Sequence, residues 1–169
     1  MPTPEGKIPH SPEAVAQFWN AALAKLPTLS PTTRYAVRCI GLDAATTRQI
    51  FDLIRARDKT GTFALPWVHA ATGEPVPQPG DCFVLVDWDG TPTLIVRITR
   101  VQEATFGKVR EEDIAVDGSP VRSLDVWVPL HTEYWNAMLR PYGRTVTPDM
   151  PFWVQAFELI YDAGTPARG

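Results

Sequence analysis

Cys82-Phe83-Val84-Leu85-Val86-Asp87-Trp88-Asp89-Gly90-Thr91-Pro92-Thr93-Leu94-Ile95-Val96-Arg97-Ile98-Thr99-Arg100-Val101 is the stretch whose reading decides the fold. Residues 82–88 form a near-continuous apolar strand. Asp89-Gly90 is a strong two-residue hairpin signal, and residues 93–101 return as the partner strand. Upstream, Thr60-Gly61-Thr62-Phe63-Ala64-Leu65 has β-formers and no helical period, and it runs into Pro66. Pro75, Pro77, Pro79 and two glycines make residues 70–80 a loop, with Trp67 in an adjoining loop position. Asp43 caps a helix carrying Ile50, Leu53 and Ile54, while residues 34–40 are extended, either as a short strand or as a link.

Working outward to the ends, Ser11-Pro12-Glu13 reads as N-cap, N1 proline and first-turn acid. Val15, Phe18, Trp19, Ala22, Leu23 and Leu26 follow at three- and four-residue steps, one face of a helix that Pro27 and Pro31 stop. Downstream, residues 109–114 suggest an acidic helical turn. Ser123 caps a third long helix presenting Leu124, Trp127, Leu130 or His131, Tyr134, Trp135 and Met138, ended by Pro141 and Gly143. Residues 152–161 form the last strand. Hairpin-linked strands with helices inserted between them describe an α+β domain rather than alternating βαβ units. The expected organisation is a flexible tail over 1–10, a helical extension over 11–32, the main domain over 33–163 and a frayed end over 164–169.

Composition sets bounds on function. Of 169 residues, 44% are hydrophobic and 21% charged, which excludes wholesale disorder. A net charge of −3 excludes a fold that grips nucleic acid by its entire surface. Two cysteines, Cys39 and Cys82, make no disulfide framework and fit a reduced, cytoplasmic chain. No apolar run approaches the roughly 18 residues of a membrane span, and the first residues lack a secretory h-region. G-x-G-x-x-G, Walker A, H-E-x-x-H, C-x-x-C and Gly-x-Ser-x-Gly are all missing. His10, His69 and His131 lie far apart, so neither a metal nor a cofactor is expected.

Leu53-Ile54-Arg55-Ala56-Arg57-Asp58-Lys59-Thr60-Gly61-Thr62 is similar to the Lys-Thr signature of the ASCH (activating-signal-cointegrator homology) domain family. The resemblance continues through Gly73-Glu74-Pro75-Val76-Pro77, Gly80-Asp81, Val84-Leu85-Val86-Asp87 and Thr99-Arg100-Val101. It closes with Ser123-Leu124, Trp127, His131, Tyr134-Trp135 and Pro148-Asp149-Met150-Pro151, covering residues 38–162. This resemblance implies a PUA-like open β-barrel with peripheral helices, the first helix being an addition. It also implies a cleft for single-stranded RNA or a modified nucleoside. Some relatives are hydrolases, acting as ribonucleases or on the amide of N4-acylated cytidine.

Carried onto this chain, the resemblance places Lys59 first, as base, charge stabiliser or holder of a phosphate or base carbonyl. Thr60 is a nucleophile by adjacency, and Thr62 shares its side of the strand. Ser123 and the amides behind it form an anion site at a helix start. His131 is a weaker catalytic candidate, Trp67 a stacking surface, and Trp127, Asp149, Gln155 and Arg57 ligand contacts. The chain departs from the family pattern where Arg57 replaces a usual Gly, Val128 a usual Arg, and Gln155-Ala156 a usual Glu-Arg. Those departures favour binding over turnover. From Arg34 to Lys59, six basic residues face three acids, a local charge of +3. An exposed Phe18–Trp19 pair would instead mark a protein-interaction module.

Overall fold

The structure, a computed structural model, describes residues 6–164. Five strands form one sheet in the order β1-β3-β4-β5-β2. They are β1 (Tyr35–Arg38), β2 (Gly61–Ala64), β3 (Cys82–Val86), β4 (Pro92–Thr105) and β5 (Pro151–Asp162). The helices are α1 (Pro12–Lys25), α2 (Ala44–Arg55), α3 (Pro66–Thr72), α4 (Glu111–Ile114) and α5 (Leu124–Leu139). β1 runs parallel to β3, and every other pairing is antiparallel. The α+β class is as expected. The sheet is not closed: β1 and β2 are its two edges, with no pairing between them.

β3 is apolar throughout because both of its faces are covered. Cys82, Val84 and Val86 pack with Val15, Trp19 and Ala22 of α1, while Phe83 and Leu85 pack with Phe51 and Ile54 of α2. Alternation of side chains along a strand assigns the two sets to opposite faces. α1 is thus a layer over the sheet, and Trp19 is spent in that contact at 5% exposure. A third cluster joins Trp127, Trp135 and Leu139 of α5 to Leu65, Met150, Phe152 and Val154.

Helix ends follow their caps. Ser11 Oγ accepts the Ala14 N–H, and Asp43 and Thr46 form a reciprocal capping box on α2. Ser123 occupies the N-cap position of α5, but its hydroxyl makes no capping bond. Three local expectations need correcting. Pro66, read as the stop of a strand, is also the first residue of α3, a position that suits a proline lacking its N–H. Trp67 and residues 70–72 are therefore helical rather than loop, and the loop begins at Gly73. The β3–β4 connection is not a two-residue turn: Asp87 accepts N–H bonds from Asp89 and Thr91 and organises residues 87–91 into a longer loop.

Residues 6–10, within the stretch read as tail, lie along this loop. The Ile8 N–H donates to the Trp88 carbonyl at 3.0 Å. The rest of the two expected tails, residues 1–5 and 165–169, lies outside the described residues. No helix among the described residues is long and apolar enough to cross a membrane.

Candidate binding cavity

A cavity of about 390 Å³ opens where α2, α3 and α5 meet the sheet. Its walls are mainly apolar and include Ile50 and Leu53 of α2, Val68 of α3, and Leu130 and Met138 of α5. Into this setting the chain brings Lys59, only 5% exposed. The path that turns Lys59 inward starts at the end of α2. Arg57 takes φ +60, and the Asp58 and Lys59 N–H groups both donate to the Leu53 carbonyl. Beyond it, the Thr60 N–H donates to the Val116 carbonyl at 2.8 Å. Asp58 accepts the Ser119 N–H and the Arg122 guanidinium, fastening segment 58–60 to segment 116–122. Gly61 permits the close approach, since a Cβ there would stand 2.6 Å from the Gln155 carbonyl oxygen and 2.7 Å from Val116 Cβ.

Lys59 Nζ donates to Asp117 Oδ1 at 2.7 Å, and Asp117 is 7% exposed. The Gly118 N–H donates to the same oxygen at 2.9 Å. Buried charges of this kind are tolerated only when paired and hydrogen-bonded. His131 lines the same wall. Burial pushes its pKa down to about 4, so the ring is neutral at pH 7. It stacks on Trp127 with ring centroids 4.0 Å apart. Its Nδ1–H donates to the Trp127 carbonyl at 2.9 Å, leaving Nε2 as an acceptor.

Gln155, on β5, lies directly across from Thr62 on β2, and both line the cavity. At the other side stands the Arg38–Glu74 ion pair, with 2.7 Å between guanidinium and carboxylate. His69 sits beside it, with Nδ1 at 3.0 Å from the Pro75 carbonyl oxygen. A second cavity of about 340 Å³ adjoins here and shares Arg38, His69, Glu74, Phe83 and Gln155 with the first.

Of the residues singled out from sequence, Lys59, Thr62, His131 and Gln155 come together in the lining. Thr60 and Ser123 do not: both are exposed and lie outside the lining. The strand period would put Thr60 on the face of Thr62, but β2 begins at Gly61 and Thr60 belongs to the turn before it, where that period does not hold. Trp67 packs on the α5 cluster and carries the Arg144 guanidinium over its ring at 4.5 Å. Trp127 is wholly buried behind His131. Asp149 is exposed and accepts from the Thr147 hydroxyl, which holds its carboxyl below the usual range. Arg57 is exposed at its turn, and Val128 and Ala156 pack against the α5 cluster.

Asp117, Arg38, Glu74 and Tyr134 also line the cavity. Sequence reading singled out none of these four as site residues. Asp117-Gly118 shortly before Ser123-Leu124 was the available signal for the first. The basic stretch also reads differently in three dimensions. Arg34 pairs with Asp81, Arg38 with Glu74, Arg55 with Asp162, and Lys59 with Asp117. Acids from distant segments neutralise most of the local excess. Among the described residues, no group of three or more His, Cys, Asp or Glu is placed to hold a metal ion.

A family model described as the ASCH domain matches residues 38–161. The chain belongs to the ASCH domain family. Its fold is similar to that of the crystallised ASCH domain from Lactobacillus crispatus JV V101, with a TM-score of 0.78 at 24% identity over 88% of this chain and 95% of that one. A protein from Enterococcus faecalis V583 is similar at a TM-score of 0.75 and 24% identity, covering 89% of each chain. No curated protein is a significant match. Within this ASCH chain the departure at Arg57 acquires a conformational meaning. A left-handed turn residue is where glycine is ordinarily placed, and Arg57 adopts that turn without reaching the cavity.

Proposed function

We propose that this ASCH domain binds a single uncharged nucleobase or nucleoside in the α2–α3–α5 cavity, either free or presented by an unstacked position of single-stranded RNA. The observation that carries this reading is the balance of the wall. Its lysine and arginine are each paired with a carboxylate, Lys59 with Asp117 and Arg38 with Glu74. Of its two histidines, His131 is neutral at pH 7 and His69 stands beside the Glu74 carboxylate. Such a wall offers hydrogen-bonding groups and apolar surface but no unpaired cation for a phosphate. Its volume of about 390 Å³ suits one base with its sugar and not a run of nucleotides. Family membership supports RNA as the wider partner, with the flanking phosphates remaining outside.

A second reading, a small amidohydrolase acting on an N4-acylated cytidine, is favoured by one specific arrangement. The hydroxyls in the lining belong to Thr62 and Tyr134, and Thr62 follows Lys59 by three residues on the strand that faces Gln155. Thr62 or a water would attack the acyl carbon. The C–N bond then breaks, and the nucleophile's proton passes to the departing N4 nitrogen of cytidine. Where Thr62 attacks, a water cleaves the acyl ester to the free acid and restores the hydroxyl. Lys59, held by Asp117, would present N–H groups to the negative charge that develops on the acyl oxygen. Thr60, exposed, has no part in this version.

Calorimetry with cytidine, N4-acetylcytidine and a short single-stranded RNA, at low and high salt, tests the reading; mass spectrometry of the same mixtures follows turnover. Nucleoside binding that barely changes with salt is expected. RNA affinity falling steeply with salt, and no nucleoside binding by folded protein, would contradict it. Loss of the acetyl group in the wild type but not in Thr62→Val would establish the hydrolase.

A further inference from the structure

We propose that Gln155 selects the ligand, pairing its side-chain amide with one hydrogen-bond donor and one adjacent acceptor on the edge of a heterocyclic base. This inference rests on the reading of the cavity as a nucleobase site and names the edge that is recognised.

Gln155 is 2% exposed. Its backbone is fixed in the interior of the sheet, between Thr62 on β2 and Val101 on β4. Gln155 lines both adjoining cavities. The wholly enclosed side-chain polar atoms left without a partner among the described residues are Thr47 Oγ1 and Trp127 Nε1. The Gln155 amide, which no side-chain hydrogen bond holds, thus opens onto the cavity. That sets it apart from the charged groups around it, which all have partners. An amide that opens onto a cavity without a protein partner is free to bond to what enters there, whereas a leucine or methionine would offer that entrant only apolar surface. The amide therefore waits for a partner that enters the cavity.

The chemistry of the partner follows from the amide. Carboxamide oxygen accepts and the NH2 group donates, side by side in one plane. The complement is an edge with a donor next to an acceptor, as in the N–H/C=O of a uracil ring or the N/NH2 of a cytosine or adenine ring. An edge of two acceptors or two donors matches only half of the amide. The ring faces of such a base are apolar enough for the Ile50, Leu53 and Phe83 walls. Glutamate at this position would accept only, so the residue type sets the edge that is read.

Calorimetry with uridine, cytidine and 3-methyluridine, in which the ring donor is blocked, tests the assignment on wild type, Gln155→Met and Gln155→Glu. Uridine is expected to bind wild type about ten-fold more tightly than 3-methyluridine, the loss of one buried hydrogen bond. Gln155→Met should abolish that preference while keeping the circular dichroism and melting temperature of a folded chain. Gln155→Glu, nearly the same size, serves the same end where methionine disturbs folding, and should weaken uridine binding by keeping an acceptor and losing the donor. An unchanged uridine preference in both variants overturns the role of Gln155 and leaves the cavity reading standing. Failure of folded wild type to bind either uridine or cytidine overturns both.

Discussion

Lys59 and Asp117 form a buried ion pair, Nζ to Oδ1 at 2.7 Å, across 58 residues of sequence. It ties the turn between α2 and β2 to the loop between α4 and α5, and it does so at the wall of the cavity. The backbone bond from Thr60 to Val116 and the Asp58–Arg122 pair flank it. Three links at adjacent positions make the two segments one unit.

Breaking that pair from one side should be costly, because it strands a charge away from water. Lys59→Met and Asp117→Leu are each expected to lower stability by about 3–5 kcal/mol in urea unfolding, while the double variant loses much less than the sum of the two. Strict additivity would mean the two side chains do not depend on each other.

Arg57 holds φ +60 at an exposed turn. A side chain there costs roughly 1 kcal/mol relative to glycine. Arg57→Gly is expected to raise the unfolding free energy by about that much and to leave nucleoside affinity unchanged, since the guanidinium does not line the cavity. A loss of affinity would return Arg57 to the site.

His131 gives a pH dependence with a definite sign. Its folded pKa is depressed from 6.5 to about 4 by burial, with Asp117 and Lys59 as opposing charged neighbours. Between those values the unfolded chain binds a proton that the folded chain refuses, so stability falls as pH falls. The contribution is intact above about pH 6.5 and lost by about pH 4, on the order of 3 kcal/mol. His131→Phe, measured against wild type at neutral pH and near pH 4.5, should show a shallower loss. Parallel pH profiles would place the titration elsewhere.

Much of the fold was legible because its signals are local. The apolar run of β3, the caps of α1 and α2, and the proline and glycine that end α5 all act within a few residues of where they stand. The β3–β4 loop misled because the organising residue is Asp87 rather than the Asp89-Gly90 pair, a side-chain effect that outweighs the turn dipeptide. Pro66 has two roles, and only one was visible from the strand side. At the site, Lys59 and Thr62 follow from the family signature, but Asp117 and Glu74 reach the cavity through long-range packing. The same reason undid the basic patch: Arg34 and Arg38 meet acids 47 and 36 residues away. Counting charges along a window cannot find partners outside it.

Trp19 separates a structural layer from an appended helix. It packs on β3 with Val15 and Ala22 and stacks against Tyr35 of β1. Trp19→Ala should destabilise the whole domain by about 3–5 kcal/mol in a single cooperative transition. A second, independent transition for the helix would show that α1 is dispensable.

The most direct test of the cavity reading is nuclear magnetic resonance of labelled protein titrated with uridine and cytidine. The expected result is a saturable shift of the Gln155 side-chain amide, together with Thr62, Gly118 and His131, at low and high salt alike. Shifts confined to exposed arginines and abolished by salt, with the Gln155 amide unmoved, would contradict it.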